Sequence, residues 1–348
     1  MKKPNKDALA FSRHIHDWLT VYSSSLQSNS THTVKNYKDA MSLYLHYLTH
    51  VKGIDANTFT FTLLERSVIE EWILWLKNDR KCSPETCNNR LASIRAFIKY
   101  LSERDVGLMY LAYEVAQIPR QKTLRKKVKG LSKNAVKALL KVPDTSTATG
   151  RRDLTLLIFM YATAVRIDEA LSMKMEHLHL HTAKPYATII GKGNKVRTLY
   201  LLPKAVAHLE KYIAEFHSMK PNPDSFVFYS RMKGYRNKMT QTAVAKQLRK
   251  YAAVAHEESS EVPLDLHAHQ IRHAKASHWL EDGMNIVQIS FLLGHADVKT
   301  TMVYLDITTE QEEKALATLE NEKDRGMPKK WKKAPQSFVE LCGLRPIK

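Results

Sequence analysis

Four side chains able to handle a phosphate lie in the stretch from His269 to Tyr304: His269, Arg272, His295 and Tyr304. Arginine offers a planar fork of donors that matches phosphate oxygens, and histidine donates a hydrogen bond or moves a proton near neutral pH. A tyrosine hydroxyl can act as a covalent nucleophile. His269 and Arg272 are three residues apart, so on a helix they share a face and can hold one anion between them. Apolar Ile271, Trp279 and Leu280 mark that helix, and Gly283 is its expected stop. A second helix is expected over Ile286–Leu293, halted at Gly294, where a chain reversal can turn His295 back toward the same point. By itself a histidine three before an arginine fits a solvated helix face better. Its context is what makes it specific.

That context is LLGH at 292–295, Tyr304 nine residues after its histidine, and upstream TAVRIDEA at 163–170 and GKGNKVR at 191–197. With these motifs the chain resembles the tyrosine recombinase, or phage integrase, family over about residues 131–306. The resemblance implies a catalytic set. The first family arginine falls on Arg166 in a TGLR-like turn, and the supporting acidic residue falls on Glu169. The hairpin lysine falls on Lys192, the His-x-x-Arg pair on His269 and Arg272, the LLGH histidine on His295, and the nucleophile on Tyr304. Read without the family, Arg166 with Asp168 and Glu169 is a surface ion pair and Lys192 a solvated turn lysine. Lys195, three residues on, is the alternative to Lys192. The family usually has glycine where this chain has Ala164, so a left-handed backbone there would strain the alanine.

A formal net charge of +19 over 348 residues favours a polyanionic partner, nucleic acid first and an anionic membrane surface second. Cys82, Cys87 and Cys342 form neither a metal-ligand spacing nor an even disulfide set, which suits a reducing compartment. The start, MKKPNKDALAFSRH, lacks an apolar core, and no apolar run approaches membrane length. A soluble, cytoplasmic, nucleoid-associated bacterial protein with no membrane contact is expected. His177, His179 and His181 alternate, and His269 and His273 are four apart as in zinc proteases. The first group lacks an evident fourth ligand, and the second has Gln270 where such proteases need glutamate. No metal and no cofactor is expected.

The amino-terminal half reads as amphipathic helices over residues 8–19, Thr31–His50 and 61–78, then one opened by Ser83 and Pro84. Trp72 and Trp75 sit at core spacing. Lys35, Lys38, Arg90, Arg95 and Lys99 read as solvated faces, and the resemblance makes this bundle a core-binding domain that contacts DNA. IPRQKTLRKKVKG at 118–130 carries Arg125, Lys126, Lys127 and Lys129 without an acidic residue, which is the pattern of a linker lying along a DNA backbone. In the second half, Ser132 should cap a helix, residues 153–161 read as a buried helix, and 188–190 and 196–200 as strands of a hairpin turning through GKGNK. A short amphipathic helix over 310–320 and a basic tail follow.

The expected fold class is therefore mainly α with a small β-sheet: a helical core-binding domain at 1–117, a basic linker at 118–130, a mixed α+β catalytic domain at 131–325 and a basic tail at 326–348. The function the resemblance implies is site-specific recombination through a 3′-phosphotyrosyl intermediate, serving integration, excision, transposition or dimer resolution. Its partners would be double-stranded DNA, a tetramer of protomers on two paired sites, and an accessory DNA-bending protein. A type IB topoisomerase-like relaxing enzyme and a non-catalytic DNA-binding protein are the alternatives.

Overall fold

The computed structural model describes residues 3–27, 31–123, 130–217, 220–230, 232, 234–295 and 297–302, with the backbone alone at 25–27, 31, 32 and 192. Tyr304, the basic residues Arg125, Lys126, Lys127 and Lys129, the helix expected at 310–320, the tail and Cys342 lie outside them. The chain divides into two units, Met1–Lys126 and Lys127–Lys348.

The first unit is helical. Helix α1 (Lys6–Asp17) is capped by Asn5, whose side chain accepts from the Ala8 amide and donates to the carbonyls of Asn57 and Phe59. It runs on into a π-helical segment, Trp18–Gln27. Helix α2 (Thr31–His50) has the expected bounds. The helix expected over 61–78 is broken instead, into a 3₁₀ turn (Phe61–Leu64) and α3 (Arg66–Asn78), with Glu65 extended between them. Helix α4 (Pro84–Ser102) opens on the Ser83 cap, its hydroxyl accepting from the Thr86 amide at 3.3 Å. Helix α5 (Met109–Ala116) follows, unforeseen in the sequence. The core is aromatic. Trp18 stacks on Tyr37 and tilts against Phe97, while Tyr44 meets the edge of Trp72, which is wholly buried.

Arg95 departs from its expected place on a solvated face. Its guanidinium donates to the carbonyls of Val115, Ala116 and Ile118, closing the C-terminal end of α5, where a helix leaves carbonyls unpaired and favours a cation.

The second unit mixes helices with two small antiparallel sheets. Helices α6 (Lys133–Lys141, capped by Ser132) and α7 (Ala148–Thr163) lead to a short α8 (Ile167–Ser172). Strands β1 (Leu178–His179), β2 (Tyr186–Ile190) and β3 (Val196–Tyr200) form a meander in which Ile189 lies opposite Arg197. Helix α9 (Pro203–Phe216), a β4–β5 pair (Tyr229–Ser230, Gly234–Lys238) and α10 (Gln241–Glu258) precede α11 (Ala268–Glu281) and α12 (Ile286–Leu293). Phe159, Phe228, Ile189, Leu199, Leu248 and Ile271 bury the common core of these elements. Mainly helical with small sheets is thus the fold class observed. Among the described residues no helix is long and apolar enough to cross a membrane, and no group of three or more His, Cys, Asp or Glu is placed to hold a metal ion.

Candidate active site

Two chain reversals in the second unit build one anion-binding corner. Helix α7 ends at Ala164, which holds the left-handed conformation (φ 51°, ψ 28°) and is fully buried. The strain expected of an alanine there is therefore present. The turn delivers Arg166 to the N-cap of α8, where its amide donates to the Glu169 carboxylate at 2.9 Å and its Nη1 to the same group at 3.0 Å. Helix α12 ends at Gly294, also left-handed (φ 63°), as the sequence led one to expect of a helix-stopping glycine. The reversal turns His295 inward.

Arg272, on α11, is 1% exposed. Its Nη1 donates to the Ala164 carbonyl at 2.7 Å, and its Nη2 to the Leu293 carbonyl at 2.6 Å and to His295 Nε2 at 3.1 Å. A guanidinium only donates, so His295 Nε2 is the acceptor and its proton sits on Nδ1, 2.7 Å from the Thr301 hydroxyl. Burial first, and then the charges of Arg272 and Arg166, bring the His295 pKa down to about 4, which agrees with a neutral ring. The donor N–H expected to face a phosphate is thus turned to Thr301, and His295 supports Arg272.

His269 and Arg272 line a cleft of about 260 Å³ together with Arg166, Asp168 and Gln241. The Arg166 side chain is 38% exposed. His269 opens to solvent at the cleft, yet partial desolvation by the surrounding atoms, followed by the charges of Arg272, His267 and Arg166, holds its pKa below the ordinary histidine value. It stands neutral at pH 7 and can accept a proton. The ring of His273 packs edge-on against it at 4.2 Å, and burial, then His269 and Arg272, lowers the His273 pKa to about 4.

Glu169 is buried beneath this corner and is not a surface ion-pair member. Burial raises its pKa, but the hydrogen bonds and charge of Arg197, then the amide and charge of Arg166, outweigh that and leave it lowered. Arg197 spans the carboxylate with Nη1 at 3.1 Å and Nη2 at 2.7 Å, and its Nε donates to the Leu292 carbonyl at 3.0 Å. Sequence reasoning missed both Arg197 and Thr301. A signal for Arg197 existed: in VRTLY it alternates with Leu199 on the inward face of β3, an unusual place for a cation unless it is paired.

The backbone of Lys192 lies in the β2–β3 turn, in a 3₁₀ segment Lys192–Asn194 with left-handed Gly193 and Asn194. The structure thus brings Arg166, Glu169, His269, Arg272 and His295 together and places Lys192 on the adjoining hairpin. Of the alternating histidines, His179 stacks on Tyr186 at 4.4 Å within the sheet, and His177 lies in a 3₁₀ turn before it.

The fold is that of site-specific recombinases and transposon integrases. The pre-cleavage complex of XerH recombinase with its difH substrate superposes with a TM-score of 0.64 at 19% identity, covering 92% of this chain and all of that one. The Tn1549 transposon integrase bound to transposon right-end DNA also gives 0.64, at 14% identity over 87% of this chain and 99% of that one. Sequence reaches further. Residues 129–311 match the phage integrase family and 17–105 its N-terminal SAM-like domain. Tyrosine recombinase XerD of Listeria monocytogenes (serotype 4b, strain F2365) is 33% identical over 283 residues, 80% of this chain and 89% of that protein. Tyrosine recombinase XerC of Chlamydia caviae is 26% identical over 301 residues, 82% and 92% of the two chains. The chain belongs to the phage integrase family.

Proposed function

We propose that this protein is a site-specific DNA recombinase that cuts and rejoins strands through a covalent tyrosyl link. The observation that carries the reading is the cleft in which Arg166 and Arg272, two residues from distant parts of the chain, converge beside a neutral His269. Such a corner suits a phosphodiester, whose non-bridging oxygens gain charge in the transition state and are stabilised by donors already in place.

In the reaction, Tyr304 Oη attacks phosphorus and its proton passes to His269. The new phosphorus–tyrosine bond forms as the bond to the 5′ oxygen breaks, and Lys192 protonates the departing oxygen. A 5′ hydroxyl of the partner duplex then attacks the phosphotyrosine and releases Tyr304. The ester energy is conserved, so rejoining requires no nucleotide. Arg166 reaches the phosphate directly. Arg272 supplies charge from beneath, held by His295, and Glu169 fixes Arg166. Exchange between two duplexes cuts four strands with one tyrosine each, which calls for a homotetramer on two paired sites. The amino-terminal unit and the basic run with Arg125, Lys126, Lys127 and Lys129 add salt-sensitive backbone affinity. An accessory DNA-bending protein, a cytoplasmic nucleoid location and a role in moving a mobile element or resolving chromosome dimers complete the proposal.

The test is covalent trapping. Wild-type protein should yield a DNA adduct with phosphate on Tyr304, and Tyr304→Phe should yield none while binding DNA with nearly unchanged affinity. An adduct formed by Tyr304→Phe would move the nucleophile to another residue.

A further inference from the structure

One guanidinium beside the anion corner ties the β2–β3 hairpin to α8 and to the end of α12. Arg197 leaves the inward face of β3, five residues beyond Lys192, and inserts between α8 and the end of α12. Two glycines record how closely it packs. A Cβ built on Gly191 would stand 3.2 Å from Glu169 Oε1 and 3.3 Å from Arg197 Nη1. One built on Gly294 would stand 2.9 Å from the same Nη1 and 3.1 Å from Cζ. Those glycines immediately precede Lys192 and His295. The Arg197–Glu169 pair therefore bears on the backbone at the root of the lysine turn, while the guanidinium bears on the reversal that aims His295.

Arg166 does not depend on this contact in the same degree. It keeps its own two bonds to Glu169, one from its backbone amide within the first turn of α8. The hairpin has fewer ties. Among the described side chains, every hydrogen bond from β2, β3 or their turn to α8 or to the α12 terminus comes from Arg197. The turn carries a backbone bond from the Gly191 amide to the Lys195 carbonyl at 2.8 Å and two left-handed residues, Gly193 and Asn194.

We propose that Arg197 is a positioning residue for strand cleavage: by clamping the β2–β3 hairpin onto Glu169 and the Leu292 carbonyl, it fixes where the turn lysine meets the leaving 5′ oxygen. The proposal rests on the recombinase reading above. Its chemistry is specific. A misplaced acid slows departure of the 5′ oxygen and leaves charge stabilisation at the non-bridging oxygens in place, and a misplacement of about 1 Å can lower a rate on the order of 100-fold.

The experiment measures single-turnover adduct formation on a duplex bearing the protein's own site, mapped from covalently trapped DNA, with oxygen or sulfur as the bridging 5′ atom. A thiolate leaves without an acid. Arg197→Ala should lose on the order of 100-fold on the oxygen substrate and return to within a few-fold of wild type on the sulfur substrate, as should Lys192→Ala. Arg197→Lys, which keeps the charge but cannot span the carboxylate and reach Leu292, and Gly191→Ala, whose methyl presses on the ion pair at an unstrained φ of −93°, should behave alike and answer the question if Arg197→Ala does not fold. Equal loss on both substrates by the Arg197 and Gly191 variants, with Lys192→Ala rescued, would overturn the proposal and assign Arg197 to Arg166 or to the fold. Failure to rescue Lys192→Ala itself would remove the acid from the hairpin, overturning the underlying assignment and the positioning role with it.

Discussion

The Ala164 carbonyl accepts a 2.7 Å hydrogen bond from Arg272 Nη1, across more than a hundred residues of chain, and does so from a left-handed backbone that alanine adopts only under strain. Strain of about 1–2 kcal/mol is retained where it aims a carbonyl at a buried cation. Ala164→Gly removes it but also removes a fully buried methyl worth roughly 0.8 kcal/mol and adds about 0.5–1 kcal/mol of chain entropy to the unfolded state. These terms nearly cancel, so urea unfolding should shift by less than about 1 kcal/mol with cleavage intact. Ala164→Val forces a β-branched side chain into the same conformation within a closed core of Ala276, Ile289 and Leu293, and both stability and cleavage should fall. A Val variant as active as wild type would show that the Ala164 carbonyl does not set Arg272.

Arg272→Lys separates charge from geometry. At 1% exposure the guanidinium is placed by three directed bonds, to Ala164, Leu293 and His295. Lysine keeps the charge, but a single ammonium on a flexible stem cannot make the same fork. Cleavage should drop by a factor of ~100 or more, close to the loss in Arg272→Ala. Stability should fall by about 1–3 kcal/mol for each buried carbonyl left unpaired. Single-turnover adduct formation beside denaturant unfolding measures both. If the lysine variant cleaves within a few-fold of wild type, a point charge suffices.

The contrast between what the sequence disclosed and what it hid follows from the range of the interactions. Capping is local, so Ser83, Ser132 and Gly294 marked their helix ends correctly, and α2 and α12 were readable to the residue. The Arg166 turn was legible through the family resemblance alone, since that family usually has glycine where Ala164 stands and an alanine by itself announces no left-handed residue. Breaks were harder. Phe61 to Asn78 keeps a helical spacing of apolar residues throughout, and nothing in that spacing announces extended Glu65. Partners distant in the chain were hardest of all. Arg95 looked solvated because its three carbonyl acceptors lie some twenty residues away, and Arg197 passed unremarked within GKGNKVR because Glu169 and Leu292 meet it only in the fold. The inward register of Arg197 with Leu199 was the single local hint.

The acid limb of the pH–rate profile should locate the base. His269 accepts the tyrosyl proton only when neutral, so the rate falls as pH drops through its pKa. That pKa is depressed by partial desolvation, then by Arg272, His267 and Arg166, with the His273 ring alongside. The acid limb of kcat/KM, which reports free protein, should therefore lie below pH ~6.5, the ordinary histidine value. Binding places a phosphodiester anion beside both arginines. Its negative charge offsets the cationic charges that depress the ring. The pKa therefore rises in the complex, and the acid limb of kcat should lie at higher pH than that of kcat/KM. Arg166→Ala removes one depressing charge, so the limb in kcat/KM should move upward even as the rate falls. A kcat/KM limb above pH ~6.5 in the wild type, or an unmoved limb in Arg166→Ala, would exclude His269 as the group that titrates.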